Sequence, residues 1–178
     1  MNFKNPLIRV PLKYGLVGGA LSIFLFVLLY LLGKNPLIVY RGFDFSFLLL
    51  PIFIAFSMKE FRDRWNGKTL KFGEGMTVGF INYMTIAIVS ALFTYIFLSV
   101  IDPDLLTGYI ADRSSMLMEM KSEMVDNLGE KVFEQTLGNI RESTAYIIAL
   151  DDFLKKIIIG LFLTIIISVI FKKQSQTS

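Results

Sequence analysis

Four methionines that lie close together could bind a soft metal ion. They are half of the chain's eight methionines, at Met116, Met118, Met120 and Met124. Thioether sulfur is a soft ligand that suits Cu(I). However, three of the four recur at intervals of four residues, the spacing of one helix face, and methionine is an adaptable packing residue. The spacing therefore favours packing or partner docking, and neither a metal nor another cofactor is predicted.

A basic, glycine-punctuated stretch over residues 61–75 could bind phosphate. Its glycines are not followed by the Lys-Ser/Thr ending of a P-loop. A dinucleotide-binding fingerprint requires a preceding parallel-sheet unit, and none is found here. The pattern instead favours a cytoplasmic elbow between two membrane spans, with aromatic rings at the interface and cations facing anionic lipid headgroups. Glu60, immediately before this stretch, and Asp63, within it, are expected to pair with neighbouring cations. The residues predicted for this elbow are Phe61, Arg62, Asp63, Arg64, Trp65, Gly67, Lys68, Lys71 and Phe72.

The side chains of most familiar catalytic sites are missing. The chain has no Cys and no His, which excludes disulfides, Cys or Ser-His nucleophiles, imidazole acid–base catalysis and zinc sites built on the usual ligands. Carboxylates alone would have to carry acid–base work. The candidates Asp44, Asp151 and Asp152 are instead interpreted as charges at helix starts. Asp151 and Asp152 also each precede a lysine by four residues, which is the favourable order for a local ion pair on a helix. The chain is therefore predicted not to be an enzyme.

The composition is that of a membrane protein. Apolar residues make up 54% of the 178 residues, and the mean hydropathy is +0.60, well above the balance of a soluble domain. The apolar runs lack period-two alternation, and backbone groups in lipid must be satisfied within each segment, so helices are favoured over barrel strands. The predicted fold is an all-α integral membrane four-helix bundle.

The four spans are predicted within one membrane domain over residues 1–178, at about 14–33, 43–58, 76–101 and 153–171. The second and fourth are short for a bilayer, so they need interfacial extensions. Residues 36–40 would extend the second, and Phe153 and Leu154, with the snorkelling Lys155 and Lys156, would extend the fourth. The N-terminal run is too long for a signal peptide and lacks a cleavage site, so it is expected to remain as the first span.

The residues between the third and fourth spans are predicted to form a helical cap outside the cytoplasm. Lys and Arg are more numerous on the membrane side that would hold the two termini and the elbow. Because positively charged loops are retained in the cytoplasm, this side is predicted to be cytoplasmic. Residues 102–152 hold 11 of the 15 acidic residues. Asp102 before Pro103 is typical of a helix start, and Asn127-Leu128-Gly129 is expected to break that helix. A second stretch, from Glu130 to about Glu142, places on one face Val132, Phe133, Leu137 and Ile140.

Small residues and one amide are predicted to hold the spans together. Pairs of glycines four residues apart let helix backbones approach closely in lipid. Internal packing is favoured over a dimer face, and Asn82 is interpreted as interhelical glue rather than a substrate contact. No carboxylate is expected deep in any span, which argues against ion-coupled transport. The packing residues are Gly15, Gly18, Gly19, Gly75, Gly79 and Asn82.

Several short motifs resemble a known family. They are Leu12-Lys13-Tyr14-Gly15-Leu16, Lys59-Glu60-Phe61-Arg62-Asp63, Gly67, Phe72-Gly73-Glu74-Gly75-Met76, Gly79 and Asp102-Pro103. Together they resemble domain of unknown function 4199 (DUF4199), a family of small bacterial proteins with four membrane spans, over nearly the whole chain. The resemblance implies the bacterial inner membrane and no particular activity. Family members often have a bulkier hydrophilic cap than this chain. The resemblance therefore gives less guidance on the function of the cap than on any other part.

The chain is therefore expected to be a multi-pass inner-membrane protein with both termini in the cytoplasm. The favoured function is a non-enzymatic scaffold or accessory subunit of a membrane complex. The alternative is a small oligomeric passive transporter, channel or lipid-handling protein, with polar residues of the third span lining a path. The expected partners are the lipid bilayer with its anionic headgroups and either another membrane protein or a second copy of the chain, but no nucleic acid.

Overall fold

The structure is a computed structural model that describes residues 5–39 and 45–172. Within those ranges the chain is all-α and has no strand. Two of the helices, α3 and α4, continue into π-helical turns at Phe61–Trp65 and Phe97–Ile101. The helices are α1 (Pro6–Leu31), α2 (Pro36–Val39), α3 (Phe45–Glu60), α4 (Phe72–Ile96), α5 (Pro103–Glu119), α6 (Lys121–Leu128), α7 (Glu130–Arg141) and α8 (Ala145–Phe171).

Three helices among the described residues are long and apolar enough to cross a membrane. They are α1, α4 together with its π-helical turn, and α8. The predicted second span corresponds to α3, which has 16 residues. Its predicted start, including Asp44, lies outside the described residues. The structure thus supports a helical membrane protein with three candidate spans among the described residues.

All three of these helices begin earlier than hydropathy predicted, and α1 and α8 differ most, by eight residues each. In α1, the Asn5 side chain accepts a hydrogen bond from the Leu7 N–H at 3.0 Å and proline takes the first helical position, which fixes the start there. In α8, the Thr144 hydroxyl accepts from the Ile147 N–H at 3.3 Å. Asp151 and Asp152 consequently lie inside α8, and their interpretation as charges at a helix start is wrong.

The helix α4 is the centre of the bundle, because α1, α3 and α8 all pack against it. On the α1 side, a Cβ atom added to Gly15 would lie 2.6 Å from the Thr85 Cβ. On the α8 side, one added to Gly75 would lie 2.8 Å from the Ser168 hydroxyl. Gly18 and Gly19 face α4 from α1, and Gly79 faces Thr164 of α8. The glycines singled out in the sequence therefore lie where the helix backbones approach most closely.

The helices α5 to α7 connect α4 to α8. The predicted break is observed, since α6 ends at Leu128 and Gly129 adopts a left-handed φ of 86°. A second break separates α5 from α6 at Met120. Met116, Met120 and Met124 therefore do not share the one helix face that their spacing predicted, since the helix does not continue through them. On α7, the predicted apolar face is observed for Phe133, Leu137 and Ile140, which are buried, whereas Val132 is 39% exposed.

Candidate functional site

The elbow begins with a π-helical turn and continues, after Asn66, with two residues of left-handed conformation. Gly67 has a φ of 58° and Lys68 a φ of 61°, a region that side-chain-bearing residues seldom occupy. The Lys68 N–H donates to the Arg62 carbonyl at 2.9 Å, which closes the turn. Glycine at position 67 thus serves the backbone conformation that reverses the chain between α3 and α4.

Asn66 and Glu74 join the elbow to the start of α4. The Asn66 amide donates to the Thr69 carbonyl at 3.0 Å and to the Glu74 carboxylate at 2.8 Å. The same carboxylate accepts the Lys71 backbone N–H, also at 2.8 Å. An acidic group that accepts N–H donors in the first turn stabilises the start of a helix. These bonds give the elbow a defined shape, although neither Asn66 nor Glu74 was among the predicted elbow residues.

Glu60 links the end of α3 to α1. Its carboxylate accepts hydrogen bonds from the Lys13 ammonium at 2.6 and 2.8 Å and from the Tyr14 hydroxyl at 2.7 Å. Burial acts to raise the pKa of Glu60, but the hydrogen bonds from Lys13 and Tyr14 and the charges of Lys13 and Arg64 lower it below its usual value. The expected local pairing of Glu60 is wrong, because its partners come from another helix.

Asp63 does pair locally, as predicted. The Arg62 Nε donates to its carboxylate at 2.7 Å. That hydrogen bond is the main cause of a lowered pKa at Asp63, and burial opposes it. The Arg62 guanidinium also lies 5.2 Å from the ring centre of Phe171, at the end of α8. The elbow therefore contacts the first part of α1 through Glu60 and the last residue of α8 through Arg62.

Most cations of the elbow remain free to meet something outside the bundle. Phe61 is buried, whereas Trp65 and Phe72 are 52% and 40% exposed. Within the described part of the chain, no hydrogen-bond or ion-pair partner is found for four nearby side chains, namely Arg9, Arg64, Lys68 and Lys71. The elbow thus presents unpaired positive charge beside exposed aromatic rings.

A charged pair on α8 faces α4, and its burial was not expected from the spacing that predicts its two partners. Lys156 is 2% exposed and pairs with Asp152, whose carboxylate also lies 3.3 Å from the Ser90 hydroxyl on α4. The neighbouring pair of Lys155 and Asp151 is exposed. The prediction that Lys156 snorkels is therefore wrong. The i,i+4 spacing showed which residues pair, but it did not show which pair faces α4.

Asn82 lies in the interior of the bundle. It is fully buried, and its amide nitrogen donates to the Pro11 carbonyl of α1 at 3.3 Å. Its amide oxygen and the Thr164 hydroxyl are buried without a hydrogen-bond partner. An interhelical bond of this kind joins α1 to α4.

The helices α5 and α6 expose apolar side chains at their junction. Met116, Met118 and Met120 are 44%, 48% and 56% exposed. Residues 102–152 hold 11 of the 15 acidic residues, so the segment that carries these methionines has an excess of negative charge. The surface is distinct from the outer faces of α1, α4 and α8, because α5 and α6 have only 17 and 8 residues and are not among the described helices that could span a membrane.

Comparison with known protein families identifies the family of this chain. A family model described as "Protein of unknown function (DUF4199)" matches residues 13–173 of the chain. This confirms the resemblance noted in the sequence, over nearly the whole chain. No curated protein and no solved structure matches.

Proposed function

The chain belongs to the DUF4199 family of proteins of unknown function, and we propose that it is a non-enzymatic scaffold or accessory subunit of a bacterial inner-membrane complex. The bundle holds the protein in the bilayer. The α5–α7 segment then presents a docking surface to another membrane protein on the extracytoplasmic side. The observation that carries the proposal is the exposed methionine surface at the junction of α5 and α6, formed by Met116, Met118 and Met120.

The placement of this surface outside the bilayer rests on α4. The helix and its π-helical turn run for 30 residues, or about 45 Å at about 1.5 Å per residue, enough to cross a membrane. The elbow precedes α4 and α5 follows it, so the two adjoin opposite ends of the span. The unpaired cations of the elbow favour the cytoplasm, which leaves the α5–α7 segment on the other side.

The same geometry supports a fourth span and cytoplasmic termini. Glu60, at the end of α3, bonds to Lys13 near the start of α1, and Arg62 contacts Phe171 at the end of α8. The start of α1 and the end of α8 therefore lie at the elbow end of the bundle. Since α3 also ends there, it runs beside α1 toward the elbow and completes a bundle of four membrane helices.

The chemistry of the methionine surface defines its partner. Methionine side chains are flexible and polarisable, so they adapt to an apolar surface of another protein. The acidic residues around them repel a partner of the same charge and attract Lys and Arg. We therefore propose a membrane-protein partner that carries an apolar patch bordered by basic residues. A solute path along α4 is less well supported, because Asn82 is sealed against α1.

Site-specific photocrosslinking in native membranes tests this proposal. Photoreactive residues at Met118 and Met120 are expected to capture the same heterologous membrane protein. A matched probe at Gln135, which is exposed on α7, should capture it far less. A Met120→Lys variant should reduce the crosslink from position 118 about fivefold, because a buried interface tolerates an unpaired charge poorly.

Two results would argue against the scaffold role. Adducts with the chain itself, from both methionine positions, would indicate a homo-oligomer. Equal capture of many proteins from all three positions would indicate that the methionine surface has no specific partner. A specific complex should also weaken at 0.5 M salt or above, where the attraction between acidic and basic surfaces is screened.

A further inference from the structure

At the opposite end of the bundle, we infer a binding site for the phosphate group of an anionic phospholipid. It is a pocket of about 90 Å³ between the start of α1 and the π-helical turn of the elbow. The inference requires only that the chain lies in a membrane, and it is independent of the scaffold role. The pocket is lined by Pro6, Arg9, Val10, Lys13, Glu60 and Trp65.

The pocket has an excess of positive charge. Arg9 and Lys13 are four residues apart on α1, so both reach the same side of the helix. The only carboxylate in the lining, Glu60, is already engaged by Lys13 and Tyr14. The Arg9 guanidinium has no partner among the described residues, and the Lys13 side chain keeps 52% of its surface exposed. One anion can therefore bind without displacing an existing ion pair.

The donors present match a phosphate group. A guanidinium offers parallel N–H donors that bind two phosphate oxygens at once, and such charge-assisted bonds are stronger than neutral ones. Lys13 uses its ammonium for Glu60 at 2.6 and 2.8 Å but has three N–H donors to offer. A phosphate in the pocket would thus be held chiefly by Arg9, with Lys13 alongside.

The surface next to the pocket indicates that the phosphate belongs to a lipid. Beyond Lys13 the same side of α1 continues with Val17 and Leu21, at further steps of four residues, and these are 52% and 37% exposed. The face of α1 thus changes from cationic to apolar in the direction of the bilayer core. Trp65, on the rim of the pocket, is 52% exposed, and tryptophan favours the headgroup level of a membrane. A phospholipid can place its phosphate on Arg9 and an acyl chain along Val17.

Trp65 also provides the measurement, because it is the only Trp in the chain. The purified protein, in a zwitterionic detergent, would be titrated with phosphatidylglycerol brominated near the headgroup end of its acyl chains. Bromine quenches indole fluorescence only at short range, so quenching reports lipid at this pocket. We expect half-maximal quenching at a concentration about tenfold lower than with brominated phosphatidylcholine, in line with a charge-assisted bond.

Substitutions separate this site from general attraction to anionic lipid. Arg9→Gln is expected to remove the preference for phosphatidylglycerol, and Arg9→Lys should retain part of it because the charge remains. Lys68→Gln is the matched control, since Lys68 is another exposed, unpaired elbow cation but does not line the pocket. It should leave the preference within about twofold of the unaltered protein.

Three results would overturn the inference. Equal quenching by the two brominated lipids would show that the pocket does not select an anion. An equal loss of preference in Arg9→Gln and Lys68→Gln would assign the effect to overall charge. Displacement of the brominated phosphatidylglycerol by inorganic phosphate at low millimolar concentration would show an anion site without a lipid requirement. None of these results depends on whether crosslinking at Met118 finds a partner.

Discussion

At the scale of single residues, two adjacent lysines of α8 occupy contrasting environments. Lys156 is buried against α4 and paired with Asp152, while Lys155 is exposed and paired with Asp151. A buried charge that loses its partner carries an uncompensated desolvation cost, whereas an exposed pair contributes little. The two pairs share the same residue types, the same spacing and the same helix, so each serves as the reference for the other.

We therefore expect Asp152→Asn to destabilise the protein by about 3–5 kcal/mol, because it leaves the buried Lys156 ammonium without its anion. The matched Asp151→Asn should cost less than about 1 kcal/mol. Thermal unfolding in detergent measures both. A double variant, Asp152→Leu with Lys156→Met, should recover most of the loss, since an apolar pair of similar volume can replace a buried ion pair. Equal losses for the two single variants would contradict the burial of Lys156.

At the scale of helices, the bundle depends on glycines that allow α4 to approach its neighbours. Gly79 and Gly73 lie on the same helix but differ in surroundings. A Cβ atom at Gly79 would overlap Thr164 of α8, whereas one at Gly73 meets nothing within 4 Å. The same substitution at the two positions therefore separates the effect of crowding from that of helix propensity.

Gly79→Ala is expected to lower stability by about 1–3 kcal/mol, because the added methyl group forces α4 and α8 apart. Gly73→Ala should be neutral or stabilising by up to about 1 kcal/mol, since alanine favours a helix more than glycine does. Denaturation in mixed detergent micelles can rank the three proteins. If Gly79→Ala is as stable as Gly73→Ala, the close contact between α4 and α8 is not required.

The helices also show what could be predicted from the sequence and what could not. The start of α5 at Asp102-Pro103 and the break at Gly129 follow from caps and backbone conformations that involve only neighbouring residues. The start of α1 at Asn5-Pro6 carries a similar local signal, but hydropathy alone placed the span later. The partners of Glu60 and the burial of Lys156 depend on which helix faces meet. Spacing along one helix contains no information about that arrangement.

At the scale of the whole molecule, the contacts at the elbow imply one topology. The start of α1 and the end of α8 both lie beside the elbow, through Lys13 with Glu60 and Phe171 with Arg62. The methionine surface lies beyond the other end of α4. In the proposed topology, the start of α1, the end of α8 and the elbow share one side of the membrane, and the methionine surface occupies the other. The pocket inferred for lipid phosphate belongs to the side of the elbow.

The chain contains no cysteine, so single cysteines can report this topology without background labelling. Lys68→Cys and Lys172→Cys are expected to react with a membrane-impermeant maleimide only in inverted membrane vesicles. Met118→Cys should react in intact spheroplasts, because the α5–α7 segment lies outside the cytoplasm in the proposed arrangement. Ser22→Cys is the control for a buried position within α1, and it should react in neither preparation.

Labelling of positions 68 and 172 from opposite sides would contradict the contact between the elbow and the end of α8. Labelling of all three exposed positions from the cytoplasm would remove the extracytoplasmic docking surface while leaving the phosphate pocket intact.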